Sequence, residues 1–447
     1  MMKLMFFFMF AIAAGPAMAE EAAVPEWGIL VYSNGQDKTS KSSAEKKAAI
    51  LENQGSSKNV SILLELGLMD NVSTVDPKIV RRYVLKKHSH GDLESREDIK
   101  LKTPAEYERE GIDMQRLDDL EDFIKWAKKV SPAKHYALIL WSRYANYPLR
   151  CMNTCFAYKE DISAEKTADA IKKAGGVDII VMDAPMIQTA DWIYEFDGAA
   201  KYYVGAQGYP PENGYVSGEL LKKLNKGSVS PMQAADFFAA LAEKQVLDDE
   251  QQERKKRTSN VYISTAGYSY SMADISVIAS VKKEAEQLAL AIMESKQQKE
   301  AAEALSNTLS FDKGRIIDLM DFSLQAEKYI SDKKVSDAAN NLKEQIKKTV
   351  KANYKRDEKL SFRDDILYSR SGGISVFLPE IPRRDHFSRK WNVKDGTWET
   401  FRRWIYSIDE NSSSSKLNGE KNPFESQPCV YNTVTGRSGY YTCPSNM

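Results

Sequence analysis

The stretch Trp27-Gly28-Ile29-Leu30-Val31-Tyr32 is apolar throughout and runs directly into Ser33-Asn34-Gly35. An uninterrupted apolar run that ends in turn residues is typical of a buried strand. Four further apolar runs predict buried strands, at residues 60–66, 136–141, 177–182 and 202–206. Helical patterns separate them, and the clearest is the amphipathic segment 117–130. Buried strands that alternate with helices predict an α/β fold with a mainly parallel sheet covered on both faces.

The other segments are less regular. Helices are also predicted at residues 43–53, 167–174 and 189–196, and a strand at 81–85 is expected nearer an edge of the sheet. The second half is richer in helix, with predicted helical segments at 272–306 and 342–354. Residues 373–378 predict a strand that returns to the sheet. Three aromatic or apolar residues, Trp398, Phe401 and Ile405, have helical spacing, which favours core packing over a ligand-binding shelf.

The first nineteen residues have the pattern of a secretory signal peptide. Lys3 is followed by an apolar segment at 4–14 and by Ala17-Met18-Ala19, which fits a cleavage site. Eleven apolar residues are too few to span about 30 Å of hydrocarbon, so a membrane anchor is the weaker interpretation. No later run is long and apolar enough to cross a membrane. The protein is therefore predicted to be exported, with no transmembrane segment in the mature chain.

Composition narrows the function further. The 447 residues include 63 Lys and Arg and 63 Asp and Glu, which gives a net charge of +0. Nucleic-acid binding needs a basic excess on the binding domain, so a nucleic-acid partner is not expected. The hydrophobic fraction of 42% is that of an ordinary globular protein.

Four cysteines are present, which is an even number for an exported chain. Proximity in the sequence favours disulfides Cys151–Cys155 and Cys429–Cys443, although four cysteines allow three pairings. The spacing of Cys151 and Cys155 would also suit half of a metal site, but no histidine pair stands beside it. His88 and His90 form a second half-site without a third ligand in the sequence, and His135 precedes a strand, far from its functional end. No metal site is predicted.

Residues 27–32, 132–141, 182–184 and 371–379, in this order and spacing, resemble the clostripain-like cysteine peptidases, which are exported bacterial enzymes with a caspase-like fold. The resemblance extends from about residue 27 to residue 405. Together with the leader, the serine-rich segment and the C-terminal cysteines, it predicts a signal peptide at 1–19, a caspase-like peptidase-type domain at 20–270, a C-terminal helical region at 271–410, and a flexible linker with a disulfide-bearing tail at 411–447. Calcium is implied as a ligand by the resemblance alone. The residues themselves suggest no cofactor.

The resemblance fails at the catalytic dyad. The family places a histidine in the pattern L-I-L-W-x-H-G and a cysteine in D-A-C, whereas this chain has Leu138-Ile139-Leu140-Trp141-Ser142-Arg143-Tyr144 and Asp183-Ala184-Pro185. Pro185 has neither a nucleophilic atom nor a backbone N–H. Arg143 stays protonated and cannot act as a general base. Tyr144 stands where the family has a small glycine, so three changes at one place indicate a lost active site.

The sequence therefore predicts an exported clostripain-like protein that is a catalytically inactive pseudopeptidase. It would bind an unidentified peptide or protein, or regulate an active relative, in the bacterial periplasm or outside the cell. The remnant cleft is expected to contain Arg143, Tyr144 and Asp183, and Arg143 is expected to pair with Asp183. Two alternatives stay open: an active endopeptidase with Arg/Lys specificity that uses a rearranged nucleophile, or a structural or surface-interaction protein. Cys151 and Cys155 are the candidates for a relocated nucleophile.

Overall fold

A computed structural model describes residues 24–36, 40–69, 78–91, 93, 99–114, 119–142, 164–211, 213–256, 267–311, 314–357, 366–379, 390–391, 393 and 396–407. Within them the strands are β1 (Trp27–Gly35), β2 (Val60–Met69), β3 (Lys78–Val84), β4 (Tyr107–Glu110), β5 (His135–Ser142), β6 (Ile179–Asp183), β7 (Tyr202–Ala206), β8 (Tyr268–Asp274), β9 (Ser310–Phe311), β10 (Ile316–Asp318), β11 (Val350–Arg356) and β12 (Ser375–Phe377). The helices are α1 (Lys41–Gln54), α2 (Leu120–Val130), α3 (Ala164–Lys173), α4 (Ala190–Glu195), α5 (Gly218–Leu224), α6 (Pro231–Lys256), α7 (Ile278–Ser295), α8 (Gln298–Ser306), α9 (Leu319–Tyr329), α10 (Lys333–Thr349) and α11 (Thr397–Tyr406).

The large sheet is parallel at its centre. Its described strands have the order β11-β8-β7-β6-β5-β1-β2-β3-β4. The pairs β1–β2, β1–β5, β5–β6 and β6–β7 are parallel, and the outer strands on both sides run antiparallel. The buried strands predicted from the apolar runs are all present, which confirms the α/β fold with a mainly parallel sheet. The segment predicted near an edge is β3, the second strand from one end of the sheet.

Helices cover both faces of this sheet, as expected for parallel strands with apolar residues on both sides. One face packs against α1, α5 and α6 through residues such as Leu51, Leu220 and Phe238. The other face packs against α2, α3, α4 and the C-terminal helices through residues such as Phe123 and Ile171. The buried positions of β1 and β5 alternate between the two faces, so these strands read as continuous apolar runs.

Three predictions from the second half need correction. The helix expected from residue 272 begins only at Ile278, because Tyr268–Asp274 forms β8. The helix expected through residue 354 ends at Thr349, and Val350–Arg356 pairs antiparallel with β8. Pairing with a neighbouring strand overrides local helix propensity in both segments, and only the folded chain supplies that neighbour.

The strand expected to return to the main sheet lies elsewhere. Ser375–Phe377 is β12 of a separate antiparallel sheet with the order β12-β10-β9. This small sheet is linked to the main one through Gln188, which lies between β6 and α4: Ser375 N donates to Gln188 O at 3.0 Å, and Gln188 N donates to Ala206 O of β7 at 3.2 Å. Beside it, Trp398, Phe401 and Ile405 are buried, which confirms their predicted role in the core. Among the described helices, none is long and apolar enough to cross a membrane.

Candidate functional site

Three residues line up at the carboxyl edge of the parallel strands. Ser33 of β1 lies opposite Trp141 of β5, and Trp141 lies opposite Asp183 at the end of β6. Residues that are directly opposite in a parallel sheet point to the same face, and here it is the face covered by α1 and α6. In α/β sheets ligands bind at the carboxyl ends of the strands, so this row marks the candidate site.

Asp183 carries the only carboxylate of that row. Its side chain is buried, with 3% exposure, and its Oδ2 accepts a hydrogen bond from Lys47 Nζ at 2.9 Å. Helical side chains tilt toward the N-terminus of their helix, and α1 begins at this edge of the sheet, just after β1. The long Lys47 side chain therefore reaches toward the edge. Its Nζ also lies 5.0 Å from the centre of the Trp141 ring, within the range of a cation–π contact.

A tight turn covers this ion pair. Gly214 has a φ of +79°, and a Cβ atom added there would lie 2.6 Å from Asp183 Oδ2. A side chain at this position would therefore collide with the carboxylate. The side-chain amide of Gln245 on α6 donates to Gly214 O at 2.9 Å and holds the turn in place. The turn explains why Asp183 is almost inaccessible to solvent.

Burial dominates the electrostatics of Asp183. Loss of hydration raises the pKa of its carboxyl group, and the charge and hydrogen bond of Lys47 oppose that rise. The second oxygen, Oδ1, is buried and has no hydrogen-bond partner among the described residues. Buried acceptors normally have a hydrogen-bond donor, so this oxygen could accept one more hydrogen bond at the candidate site.

The two residues after Ala184 present no free backbone N–H group. Pro185 has no N–H, and the N–H of Met186 donates to Gly208 O at 2.7 Å. Met186 also has a φ of +56°, a left-handed backbone conformation that residues other than glycine rarely adopt. In this arrangement neither residue offers a free N–H to a developing oxyanion.

The described histidines lie away from this site, at the opposite edge of the sheet. His135 begins β5, and its ring lies 5.1 Å from the Trp27 ring at a tilt of 36°. Its Nδ1 contacts Asp178 Oδ2 at 3.3 Å. The segment with His88 and His90 packs on the C-terminal end of α1, where His90 N donates to Asn53 Oδ1 at 2.8 Å. His90 is buried and its ring contacts Glu52. The prediction that His135 lies far from the functional end of its strand agrees with this placement.

Several predicted site residues lie outside the described residues. They are Arg143, Tyr144, Cys151, Cys155, Cys429 and Cys443. The expected pairing of Arg143 with Asp183 stays a prediction, and the partner that the structure describes is Lys47. Sequence reasoning missed Lys47, because nothing distinguishes it from its neighbour Lys46 apart from the direction it faces on α1. Among the described residues, no three His, Cys, Asp or Glu side chains are grouped as a metal site.

The fold and the position of the site define the class of protein: an α/β protein with the architecture of the caspase-like C11 proteases. The model of the clostripain family, peptidase C11, matches residues 31–424, and the chain belongs to this family.

Solved structures agree at the level of the fold. The chain is similar to a secreted C11 cysteine protease from Bacteroides thetaiotaomicron, solved with an irreversible peptide inhibitor, at 16% identity and a TM-score of 0.53; the match covers 85% of this chain and 99% of that one. It is also similar to an inactive zymogen C11 protease from Parabacteroides distasonis, at 15% identity and a TM-score of 0.52, covering 85% and 98%. A search of curated protein sequences returns no match.

Proposed function

We propose that this protein is an exported, non-catalytic member of the clostripain family that binds a peptide or protein through its remnant cleft, or regulates an active relative. The observation that carries the proposal is Pro185. It directly follows Asp183-Ala184 at the carboxyl end of β6, where the family motif has its cysteine.

The chemistry of cysteine peptidases explains why this position matters. A thiolate must attack the scissile carbonyl, a base must manage the proton, and N–H donors must stabilise the oxyanion. Pro185 supplies neither a thiol nor an N–H, and Met186 N is bonded to Gly208 O. One missing oxyanion donor already costs about 3–4 kcal/mol in the transition state. Arg143, at the position of the histidine, holds its proton at any working pH.

Binding and export have separate support. The site keeps a buried carboxylate, an aromatic wall and a covering turn, which are features of recognition and need no nucleophile. The leader at residues 1–19 has the pattern of a signal peptide. One structural neighbour is described as secreted, which fits the same compartment.

The decisive experiment measures peptidase activity of the exported protein. The full chain, expressed with its own leader and recovered from the periplasm or medium, is incubated with Arg- and Lys-terminated reporter peptides and a mixed protein substrate, with and without calcium. We expect no cleavage above background. Cleavage that a thiol-alkylating reagent abolishes would refute the proposal, and the variants Cys151→Ser and Cys155→Ser would then locate the nucleophile.

A restored variant provides the positive control. The triple change Arg143→His, Tyr144→Gly and Pro185→Cys rebuilds the family motif at the three positions where this chain departs from it. We expect measurable cleavage only from this variant. The matched double change Arg143→His and Tyr144→Gly keeps Pro185 and should stay inactive, because it lacks the thiol.

A further inference from the structure

We infer that the amino edge of the parallel strands, at the end of the sheet opposite to the candidate site, is a surface that binds the anionic phospholipid headgroups of a membrane. The inference goes beyond the proposed function, because it requires neither the cleft nor any step of proteolysis. We call this surface the basic edge, after six exposed lysines: Lys58, Lys86, Lys87, Lys129, Lys173 and Lys226.

The starts of the parallel strands form the frame of the basic edge. Lys134 and Lys201 directly precede β5 and β7. Backbone hydrogen bonds join neighbouring starts: Lys134 N donates to Pro25 O, just before β1, and Lys201 N donates to Asp178 O, just before β6, both at 3.1 Å. Lys58 stands two residues before β2, which is parallel to β1 and begins level with it.

Two lysines of the basic edge come from the ends of helices. Because α2 leads into β5 and α3 leads into β6, the C-terminal ends of both helices lie at this edge. They contribute Lys129 and Lys173 from their last turns. Cations are favoured near the C-terminus of a helix, so the helix dipole is a sufficient reason for these two lysines.

The helix dipole does not account for the others. Lys86 and Lys87 follow β3, which runs antiparallel to β2 and therefore ends near the start of β2. Lys226 follows α5 and lies close to the start of β2, because Asn59 Nδ2 donates to Asn225 O at 3.0 Å. Three separate segments of the chain thus bring lysines to the start of β2.

The charge of the basic edge exceeds that of its carboxylates. Glu26 and Asp178 contact the ammonium groups of Lys134 at 2.8 Å and Lys201 at 3.7 Å, and Asp197 is a third carboxylate on this edge. The six lysines that define the basic edge have no carboxylate within ion-pair distance among the residues that the structure describes. The whole chain has a net charge of +0, so this excess is local and does not follow from composition.

Two exposed valines favour a lipid surface over a soluble polyanion. Val24 lies three residues before β1 and is 53% exposed, and Val130 ends α2 and is 47% exposed. Ser131 Oγ donates to Ser61 Oγ at 2.7 Å, which holds the end of α2 against the start of β2. Binding to a membrane surface grows with the apolar area that enters the interface and with attraction to anionic lipids. Exposed apolar side chains beside lysines supply both contributions.

The path of the chain agrees with a membrane on this side. The apolar segment of the predicted leader ends at residue 14, ten residues before Val24, and ten residues reach at most about 35 Å. The leader therefore delivers the basic edge, and not the carboxyl edge, toward the membrane that it crosses. A protein bound through the basic edge presents the cleft beside Asp183 to the solution, where peptides and proteins are found.

Sedimentation with lipid vesicles tests the inference on the exported protein. The vesicles are phosphatidylcholine with about 30% phosphatidylglycerol, and vesicles of phosphatidylcholine alone are the neutral control. We expect binding to the anionic vesicles only, and we expect it to weaken between about 0.05 M and about 0.5 M salt, because salt screens exposed charges. No sedimentation with the anionic vesicles, or equal sedimentation with both kinds, would overturn the inference.

A triple variant locates the binding surface. Lys58→Gln, Lys86→Gln and Lys87→Gln together should lower the affinity for anionic vesicles about a hundredfold, since each lysine near an anionic surface contributes about fivefold. All three side chains are exposed, so the variant is expected to keep the fold, which circular dichroism checks.

The matched control removes the same charge from another surface. Lys333, Lys334 and Lys347 are exposed on α10, where their ammonium groups lie 2.7, 3.2 and 2.8 Å from carboxylates. Changing these three lysines to glutamine should alter the affinity by less than about twofold, because their charges are paired and lie away from the basic edge. Equal losses in both triple variants would overturn the inference, since binding would then follow net charge alone.

A soluble polyanion separates the two sources of negative charge. Val130→Ser should weaken binding to anionic vesicles about fivefold, the factor expected for burial of one valine, and should leave binding to inorganic polyphosphate unchanged. Binding of polyphosphate without binding of vesicles would overturn the inference in favour of a soluble partner. None of these readouts uses proteolysis, so failure of this inference and failure of the proposed inactivity are distinguishable.

Discussion

Glu65 and Arg82 lie directly opposite each other in the antiparallel pair β2–β3, and their buried side chains form an ion pair. A second carboxylate, Asp119, lies 3.9 Å from the same guanidinium and accepts a hydrogen bond from Tyr32 Oη at 3.0 Å. One guanidinium therefore contacts two buried acidic side chains. The Tyr107 ring, 4.8 Å from the guanidinium carbon, covers the cluster.

Removal of Arg82 should destabilise the protein strongly. The variant Arg82→Met takes the hydrogen-bond donor from buried Glu65 and the nearby cation from buried Asp119, and we expect a loss of about 3–5 kcal/mol in the free energy of unfolding by denaturant titration. Its neighbour Arg81 pairs with Glu108, whose side chain is 52% exposed, so Arg81→Met should change stability by less than about 1 kcal/mol. Equal effects of the two variants would contradict the burial of this cluster.

The same cluster predicts a dependence on pH. Burial, reinforced by the charge of Asp119 and opposed by Arg82, raises the pKa of Glu65 from 4.5 to about 9. The folded protein thus holds a proton that the unfolded chain releases. This contribution to stability is complete below pH 4.5 and is lost as the pH rises toward 9.

The variant Glu65→Gln has no such proton to lose. Across pH 5 to 9, its free energy of unfolding should therefore rise relative to that of the wild type, by up to about 1.4 kcal/mol per pH unit. The measurement is denaturant unfolding of both proteins at several pH values. Parallel curves would show that Glu65 ionises at its ordinary pKa.

The turn above Asp183 allows a test with a well-matched control. Gly214 and Gly111 both have a φ of +79°, but an added Cβ would touch Asp183 at the first position and nothing within 4 Å at the second. The left-handed backbone should make Gly111→Ala destabilising by about 1 kcal/mol. Gly214→Ala should be clearly more destabilising, because the Cβ also collides with the ion pair. Equal unfolding free energies would show that the turn does not press on Asp183.

Asp318 links the small sheet to the main one. Its carboxylate caps α9 by accepting from Asp321 N at 2.9 Å, and it also accepts from Gln207 Nε2 and from Gly372 N. We expect Asp318→Ala to lower the free energy of unfolding by about 3 kcal/mol, because buried donors lose their acceptor.

Asp332 is the control, since it caps α10 in an exposed position by accepting from Lys334 N at 2.7 Å. Asp332→Ala should lose only the cap, about 1 kcal/mol. A similar loss for both variants in denaturant titrations would mean that the bonds from Gln207 and Gly372 do not stabilise the attachment of the small sheet.

The prediction of the fold succeeded for the strands whose two faces are both covered by helices. β1, β5 and β6 are apolar at nearly every position because helices cover both faces, and that pattern is visible in the sequence itself. It failed in β8, where Tyr268 and Tyr270 face one core cluster while Ser269 and Ser271 enter a buried polar network. The serine hydroxyl groups are buried because they bond to distant partners, Gln207 and Gly373. A strand with serine at every second position has no apolar run that the sequence could show.

The sequence by itself determined which central strands are apolar throughout and in what order they follow along the chain. It also determined the family resemblance and the presence of Pro185 after Asp183-Ala184. All of these depend on residue identity and local spacing. Only the tertiary structure decided that Lys47, 136 residues from Asp183 in the chain, is its partner. It also decided that Val350–Arg356 pairs with β8 and that residues 375–377 belong to a separate sheet. Such contacts depend on how helices and strands pack in space, and no local pattern encodes which distant group will fill a given pocket or edge.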